Sequence, residues 1–121
     1  MRYMKIATHF SSAHHLEKYP GNCSRLHGHN WKIILIFQIN QLDELGMGYD
    51  FKELKNKVET VMKYYDHQYL NELDEFKEVN PTAENIAESI FIKINQLKLE
   101  NIEIYEVEVF ESEKYSIIYR R

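Results

Sequence analysis

From His27 to Asn40 the chain reads as one long strand with apolar residues on both of its faces. His27, His29, Trp31, Ile33, Leu35, Phe37 and Ile39 share one side, because side chains alternate with period two along an extended backbone. Ile34 and Ile36 lie on the other side. A strand covered on both faces is either central in a monomer or packed against another chain. The rest of the sequence has to supply that cover.

The polar end of the same stripe carries the chemistry. The segment Cys23-Ser24-Arg25-Leu26-His27-Gly28-His29 holds the one cysteine of the chain and two of its six histidines. His27 and His29 point the same way, so two imidazoles can share one metal ion, with zinc the usual guest of such nitrogens. Gly28 leaves room for backbone to approach a ligand. A third ligand must come from elsewhere, and His14 and His15 are the nearest candidates. Three protein ligands with an open fourth position make a catalytic zinc site. The competing reading is a pair of surface histidines that bind nothing.

The 121 residues make one domain, 1–121, with enough chain for a real core. A net charge of −4 argues against nucleic acid or an anionic membrane as partner through bulk charge. No apolar run approaches a membrane span, and the N-terminus lacks a signal-peptide pattern. A single cysteine forms no internal disulfide. A reducing, cytoplasmic setting is therefore expected.

Period-two patterning predicts a first strand over residues 2–10, followed by a long loop over 11–26 marked by Ser11-Ser12 and Pro20-Gly21-Asn22. Loops of that length are usually functional. After the 27–40 strand, Gly46-Met47-Gly48 turns the chain. Asp50 then caps a helix, with Glu53 at capping-box spacing. Its buried face is expected to hold Phe51, Leu54, Val58, Val61, Met62 and Tyr65. It ends in Asp66-His67-Gln68-Tyr69-Leu70-Asn71, where the adjacent acid and imidazole form either a structural cap or a proton relay. Residues 72–80 read as loop. Pro81-Thr82 opens a second helix, with Thr82 as N-cap and Ile86, Ile90, Ile94 and Leu97 on the buried face. A third strand spans 102–111, with a parity shift that marks a bulge near Tyr105-Glu106. Beyond the shift Glu111 shares a face with Val107 and Val109, and an acid so placed needs a partner unless it turns to solvent at the strand end. Residues 115–120 make the last strand, in a hairpin with the third. The order ββααββ implies an α+β fold: an antiparallel four-stranded sheet with two helices on one face.

Taken together, Phe10-Ser-Ser-Ala-His14, the Cys23–His29 segment, Asp50-Phe51, Asp66–Asn71, Pro81-Thr82-Ala-Glu84-Asn85 and Val107-Glu-Val-Phe-Glu111 resemble the 6-pyruvoyl-tetrahydropterin synthase and 6-carboxytetrahydropterin synthase family, over nearly the whole chain. The resemblance implies the tunnelling fold. It implies Zn²⁺ held by His14, His27 and His29, with alignment on Phe10 selecting His14 over His15. Cys23 falls on the family's catalytic cysteine, Asp66 and His67 on its catalytic pair, Glu111 on its pterin-anchoring glutamate and Thr82 on a threonine near the pterin. It further implies trimers that close a β-barrel and stack into hexamers, with active sites between subunits. The implied substrate is 7,8-dihydroneopterin triphosphate, for which Arg25 and Lys18 are candidate phosphate contacts. One departure is Ser112, which stands where a threonine often follows the glutamate. Three residues separate Cys23 from His27. That spacing resembles the carboxy-forming branch of queuosine precursor synthesis, whereas pyruvoyl-forming members carry a longer insert. Pyruvoyl formation, a non-catalytic pterin- or purine-binding module, and a closed structural zinc site with Cys23 as fourth ligand are the alternatives.

Overall fold

Alternation along the chain becomes a single sheet, and the helices cover only one side of it. The computed structural model describes residues 1–18, 20–21 and 24–121. Strands β1 (Arg2–His14), β2 (His27–Ile39), β3 (Ile102–Phe110) and β4 (Ser116–Arg120) lie in the order β1-β2-β3-β4, each pair antiparallel. Helices α1 (Phe51–Tyr65) and α2 (Ala83–Gln96) enter between β2 and β3, with two short 3₁₀ turns between them. Helix α1 lies against β1, and α2 against β3 and β4. The ββααββ order and the α+β architecture are as expected.

The core fills the space between sheet and helices. Phe10, Trp31, Ile33, Leu35, Phe37, Val107 and Val109 meet Leu54, Val58, Tyr65, Ile86 and Ile90 there, all buried. Burying each such side chain contributes about 1.5–3 kcal/mol, which offsets the entropy of ordering the chain. On the outer face, Ile34 is buried and Ile36 half-buried.

Four expectations need correction. Leu97 was expected on the buried face of α2 but is its C-cap and stands exposed. Strand β1 does not stop at Phe10 but runs on to His14. Its serines do not break the ladder, because their hydroxyls find partners: Ser11 donates to Asn30 Oδ1 at 2.7 Å, and Ser12 to the carbonyl of Tyr65. Ser11, Ser12 and Ala13 pair with Asn30, His29 and Gly28, and His14 then stands directly across from His27. Phe51 was expected in the core but is 61 % exposed. As the first residue of α1 it borders an open groove with Tyr3 and Met47 instead. The capping box is half-made: Asp50 accepts from the Lys52 N–H, while Glu53 turns to Lys57 at 3.4 Å.

The bulge falls where the parity shift predicts it. Ile36 pairs with Glu106 and Phe37 with Ile104, so Tyr105 is the extra residue. It resets β3 so that Val107 and Val109 face the helices and brings Glu111 to that side of the sheet. Glu106 faces away and is buried under Arg120, whose guanidinium donates to it at 2.6 and 2.9 Å. Among the described residues, no helix is long and apolar enough to cross a membrane.

Candidate metal centre

The extension of β1 decides the site. It sets His14 beside His27 and His29 at one end of the β1–β2 ladder, and the bulge in β3 brings Glu111 to the same place. One ligand atom from each of His14, His27, His29 and Glu111 lies within 4.8 Å of every other. His14 is 1 % exposed and the other three are half-buried.

Hydrogen bonds fix which nitrogens face inward. His14 Nδ1 lies 2.7 Å from the Pro81 carbonyl, and His27 Nδ1 lies 2.6 Å from the Arg25 carbonyl. Carbonyl oxygens only accept, so both Nδ1 atoms carry a proton, and in the neutral rings that bind metal both Nε2 atoms present lone pairs. Those Nε2 atoms are 3.0 Å apart. Two facing lone pairs repel unless a cation or a shared proton joins them. His29 Nε2 is buried with no hydrogen-bond partner, and Glu111 Oε1 lies 3.5 Å away. Burial pushes the His14 pKa down to about 4, against the opposing pull of the Pro81 carbonyl, with His27 and His29 adding to the depression. Burial also lowers His29, against the pull of Glu111. His14 and His29 therefore stay neutral near pH 7, the form that binds metal. Converging neutral imidazoles with a carboxylate beside them and backbone carbonyls behind them suit zinc.

Trp31 is the floor of this centre. It is fully buried, with its ring centroid 5.0 Å from that of His14 and 4.9 Å from that of His29. The indole is followed by Phe10 at 6.2 Å and then Tyr65 at 5.3 Å, so the histidines stand on an aromatic column continuous with the core.

The other expected site residues are distributed as follows. His15 turns away from the cluster, and its Nδ1 lies 2.5 Å from the Tyr69 hydroxyl. Asp66 caps the C-terminus of α1 and His67 follows it with a left-handed backbone, φ 56°. Asp66 Oδ1 accepts from the Ser11 N–H at 2.9 Å, and Oδ2 lies 2.8 Å from His67 Nδ1. The Ser11 N–H and then the His67 hydrogen bond hold the Asp66 carboxyl below its usual range. This pair stands along the outer edge of β1, with His67 81 % exposed, and is not one of the four clustered groups. Thr82 is the N-cap of α2, its hydroxyl accepting from the Asn85 N–H at 3.1 Å. Cys23 lies outside the described residues. Sequence reasoning missed the carbonyls of Pro81 and Arg25 and the seat formed by Trp31. Backbone carbonyls leave no trace in residue type, and Trp31 reads only as another apolar position.

The match to known proteins spans the chain. The family described as 6-pyruvoyl tetrahydropterin synthase matches residues 3–121. A Synechocystis relative named 6-carboxy-5,6,7,8-tetrahydropterin synthase is 35 % identical over 108 residues, which cover 85 % of this chain and 81 % of the relative. A Dictyostelium discoideum relative named 6-pyruvoyl tetrahydrobiopterin synthase is 32 % identical over 123 residues, 92 % of this chain and 90 % of the relative. The solved structure of Caenorhabditis elegans 6-pyruvoyl tetrahydropterin synthase superimposes with a TM-score of 0.88 at 28 % identity, covering 99 % of this chain and 95 % of that one.

Proposed function

This chain belongs to the 6-pyruvoyl tetrahydropterin synthase family, in its tunnelling fold, and on that premise we propose that it is a zinc-dependent carbon–carbon lyase. It converts 7,8-dihydroneopterin triphosphate to 6-carboxy-5,6,7,8-tetrahydropterin, with release of acetaldehyde and triphosphate, on the route to queuosine. The observation that carries the metal assignment is the convergence of His14, His27, His29 and Glu111 with two proton positions fixed by carbonyls. When bound, zinc would acidify side-chain hydroxyls of the substrate as it acidifies water.

The chain's own residues do the rest. Glu111 sits at the rim of the cluster with two carboxylate oxygens, a bidentate acceptor for the amino and ring N–H groups of a pterin. Cys23 is the general base that removes a carbon-bound proton, and a neighbouring cation favours its thiolate. Its role rests on the resemblance. Asp66 fixes the tautomer of His67 by accepting from Nδ1, which leaves Nε2 open as the second proton-transfer group. Thr82 lies one residue from the Pro81 carbonyl that holds His14, close to where a pterin would rest. Arg25 and Lys18 remain the proposed triphosphate contacts.

The exposed position of His67 suits an active site shared between copies of the chain. We propose a trimer or hexamer in the cytoplasm, with the edges β1 and β4 as the pairing surfaces. Edge strands carry unpaired backbone groups that a neighbour can complete. Identity alone favours neither branch, because relatives bearing both names match at 35 % and 32 %. The three-residue spacing from Cys23 to His27 favours the carboxy-forming reaction. The test is incubation with dihydroneopterin triphosphate, an aldehyde trap and mass analysis. Trapped acetaldehyde with 6-carboxytetrahydropterin is the expected result. Triphosphate release with 6-pyruvoyltetrahydropterin and no aldehyde moves the chain to the other branch, and no turnover makes it a binding module.

A further inference from the structure

His14 is the last residue of β1, so the ladder with β2 ends with it. Beyond it the chain is held by two asparagine side chains. The His15 N–H donates to Asn71 Oδ1 at 3.0 Å, and Asn71 Nδ2 donates back to the His15 carbonyl at 3.0 Å. The Glu17 N–H donates to Asn80 Oδ1 at 2.9 Å, and Asn80 Nδ2 donates back to the Glu17 carbonyl at 3.0 Å. Each side-chain amide accepts from and donates to one backbone residue, as a neighbouring strand would. The Asn71 clamp thus continues the outer-edge contacts of β1, where the His67 N–H donates to the Ser11 carbonyl and the Ala13 N–H to the Gln68 carbonyl, after backbone pairing has stopped.

Both clamps converge on His14. One holds the residue directly after it. The other comes from Asn80, whose next residue, Pro81, provides the carbonyl on His14 Nδ1. Asn80 is itself tied to the first turn of α2, because Asn85 Nδ2 donates to the Asn80 carbonyl at 2.8 Å. We infer that Asn71 and Asn80 are positioning residues for the metal centre: they hold His14 so that Nδ1 stays on Pro81 and Nε2 stays turned toward His27. Metal–nitrogen distances tolerate only about 0.2 Å of error, so a ligand at the end of a strand needs such support. The inference rests on His14, His27 and His29 being zinc ligands.

A third clamp provides the control. Asn101 accepts from the Gln41 N–H at 3.1 Å and donates to the Gln41 carbonyl at 2.7 Å, at the other end of β2 and β3. Its backbone is left-handed, φ 69°, so glycine removes the clamp without strain.

The experiment measures zinc affinity by chelator competition in the wild type, N71A, N80A, N71Q, N80Q and N101G. It is paired with nitrogen NMR of the His14 ring in the metal-free chain. Loss of either clamp should weaken zinc about 10- to 100-fold, the usual range for groups that orient a ligand. The glutamine variants keep the amide at the wrong reach and should fall in between, and N101G should bind as the wild type does. The Nδ1–H signal of His14 should survive in N101G and average out in N80A. Wild-type affinity in N71A and N80A overturns the inference. So does equal weakening in N101G, which would mark general softening. Should the alanine variants not fold, wild-type affinity in both glutamine variants overturns it. If the wild type takes up no zinc, the metal reading fails by itself. The His14 signal then decides, and an unchanged Nδ1–H signal in N80A overturns the positioning role.

Discussion

The two ends of the sheet use the same fastening and do different things. At the far end from the histidines, Asn101 ties Gln41 and Gly48 together beside an open cleft of about 650 Å³. That cleft is lined by Asp43, Asp50, Glu53, Lys57, Lys98 and Glu100. It is roomy and charged, yet Lys57 pairs with Glu53 at 3.4 Å and receives help from the Tyr49 hydroxyl at 2.9 Å. At the histidine end a buried His14, a partnerless His29 Nε2 and two carbonyl-bound Nδ1 atoms converge. Chemistry follows from groups that are buried and unsatisfied by one another, since a satisfied pair has nothing left to offer a ligand. Cleft volume does not supply that.

The contrast breaks first at the metal. His27→Ala and His29→Ala should reduce zinc from about one ion per chain to a small fraction, while Lys57→Ala in the distal cleft leaves it unchanged. Metal analysis decides, and full zinc in both histidine variants would sink the assignment. Next in size is Trp31→Ala. Removing a fully buried indole should cost about 3–5 kcal/mol of unfolding free energy. Phe51→Ala at the opposite end should stay within about 0.5 kcal/mol, because that ring is largely exposed. Denaturant titration compares the two, and similar losses would mean Phe51 is covered in the assembled protein.

Glu111→Gln turns an acceptor oxygen into a donor. It should weaken binding of the pterin substrate by about 1.5–3 kcal/mol for each charge-assisted hydrogen bond lost. Zinc should be retained if the carboxylate serves the pterin and lost if it is a required ligand. Glu53→Gln in the distal cleft should change neither. Calorimetry with a dihydropterin, together with metal analysis, separates the outcomes. The smallest effect belongs to the helix caps. Thr82→Ala and Asp50→Ala should each destabilise by about 1 kcal/mol, since each side chain satisfies one orphan N–H at a helix start. Only Thr82→Ala should also raise KM. Equal kinetics in the two variants would reduce Thr82 to a cap.

Much of this was legible in the sequence because it is local. Period two set β2, its helix-facing stripe and the bulge at Tyr105, since side-chain alternation depends only on neighbouring residues. Asp50 and Thr82 were readable as caps because the N–H groups they satisfy lie within three residues. His27 and His29 had to share a face for the same reason, whatever the fold. The resemblance put His14 in the same expected ligand set, and the fold brings it beside His27 and His29.

Tertiary structure decided what depends on distant partners. Ser11 and Ser12 read as loop residues, yet Asn30 and Tyr65 satisfy their hydroxyls and let β1 run on to His14. The residues alone left His14 and His15 open; the fold sends His15 to Tyr69, fifty-four positions along the chain. The protons on His14 and His27 are set by the carbonyls of Pro81 and Arg25, and any residue type carries such a carbonyl. Phe51 has a core residue's spacing and no core to enter, because the sheet leaves an open groove where α1 begins. Local periodicity orients a side chain, but what that side chain meets is fixed only when strands far apart in sequence pair.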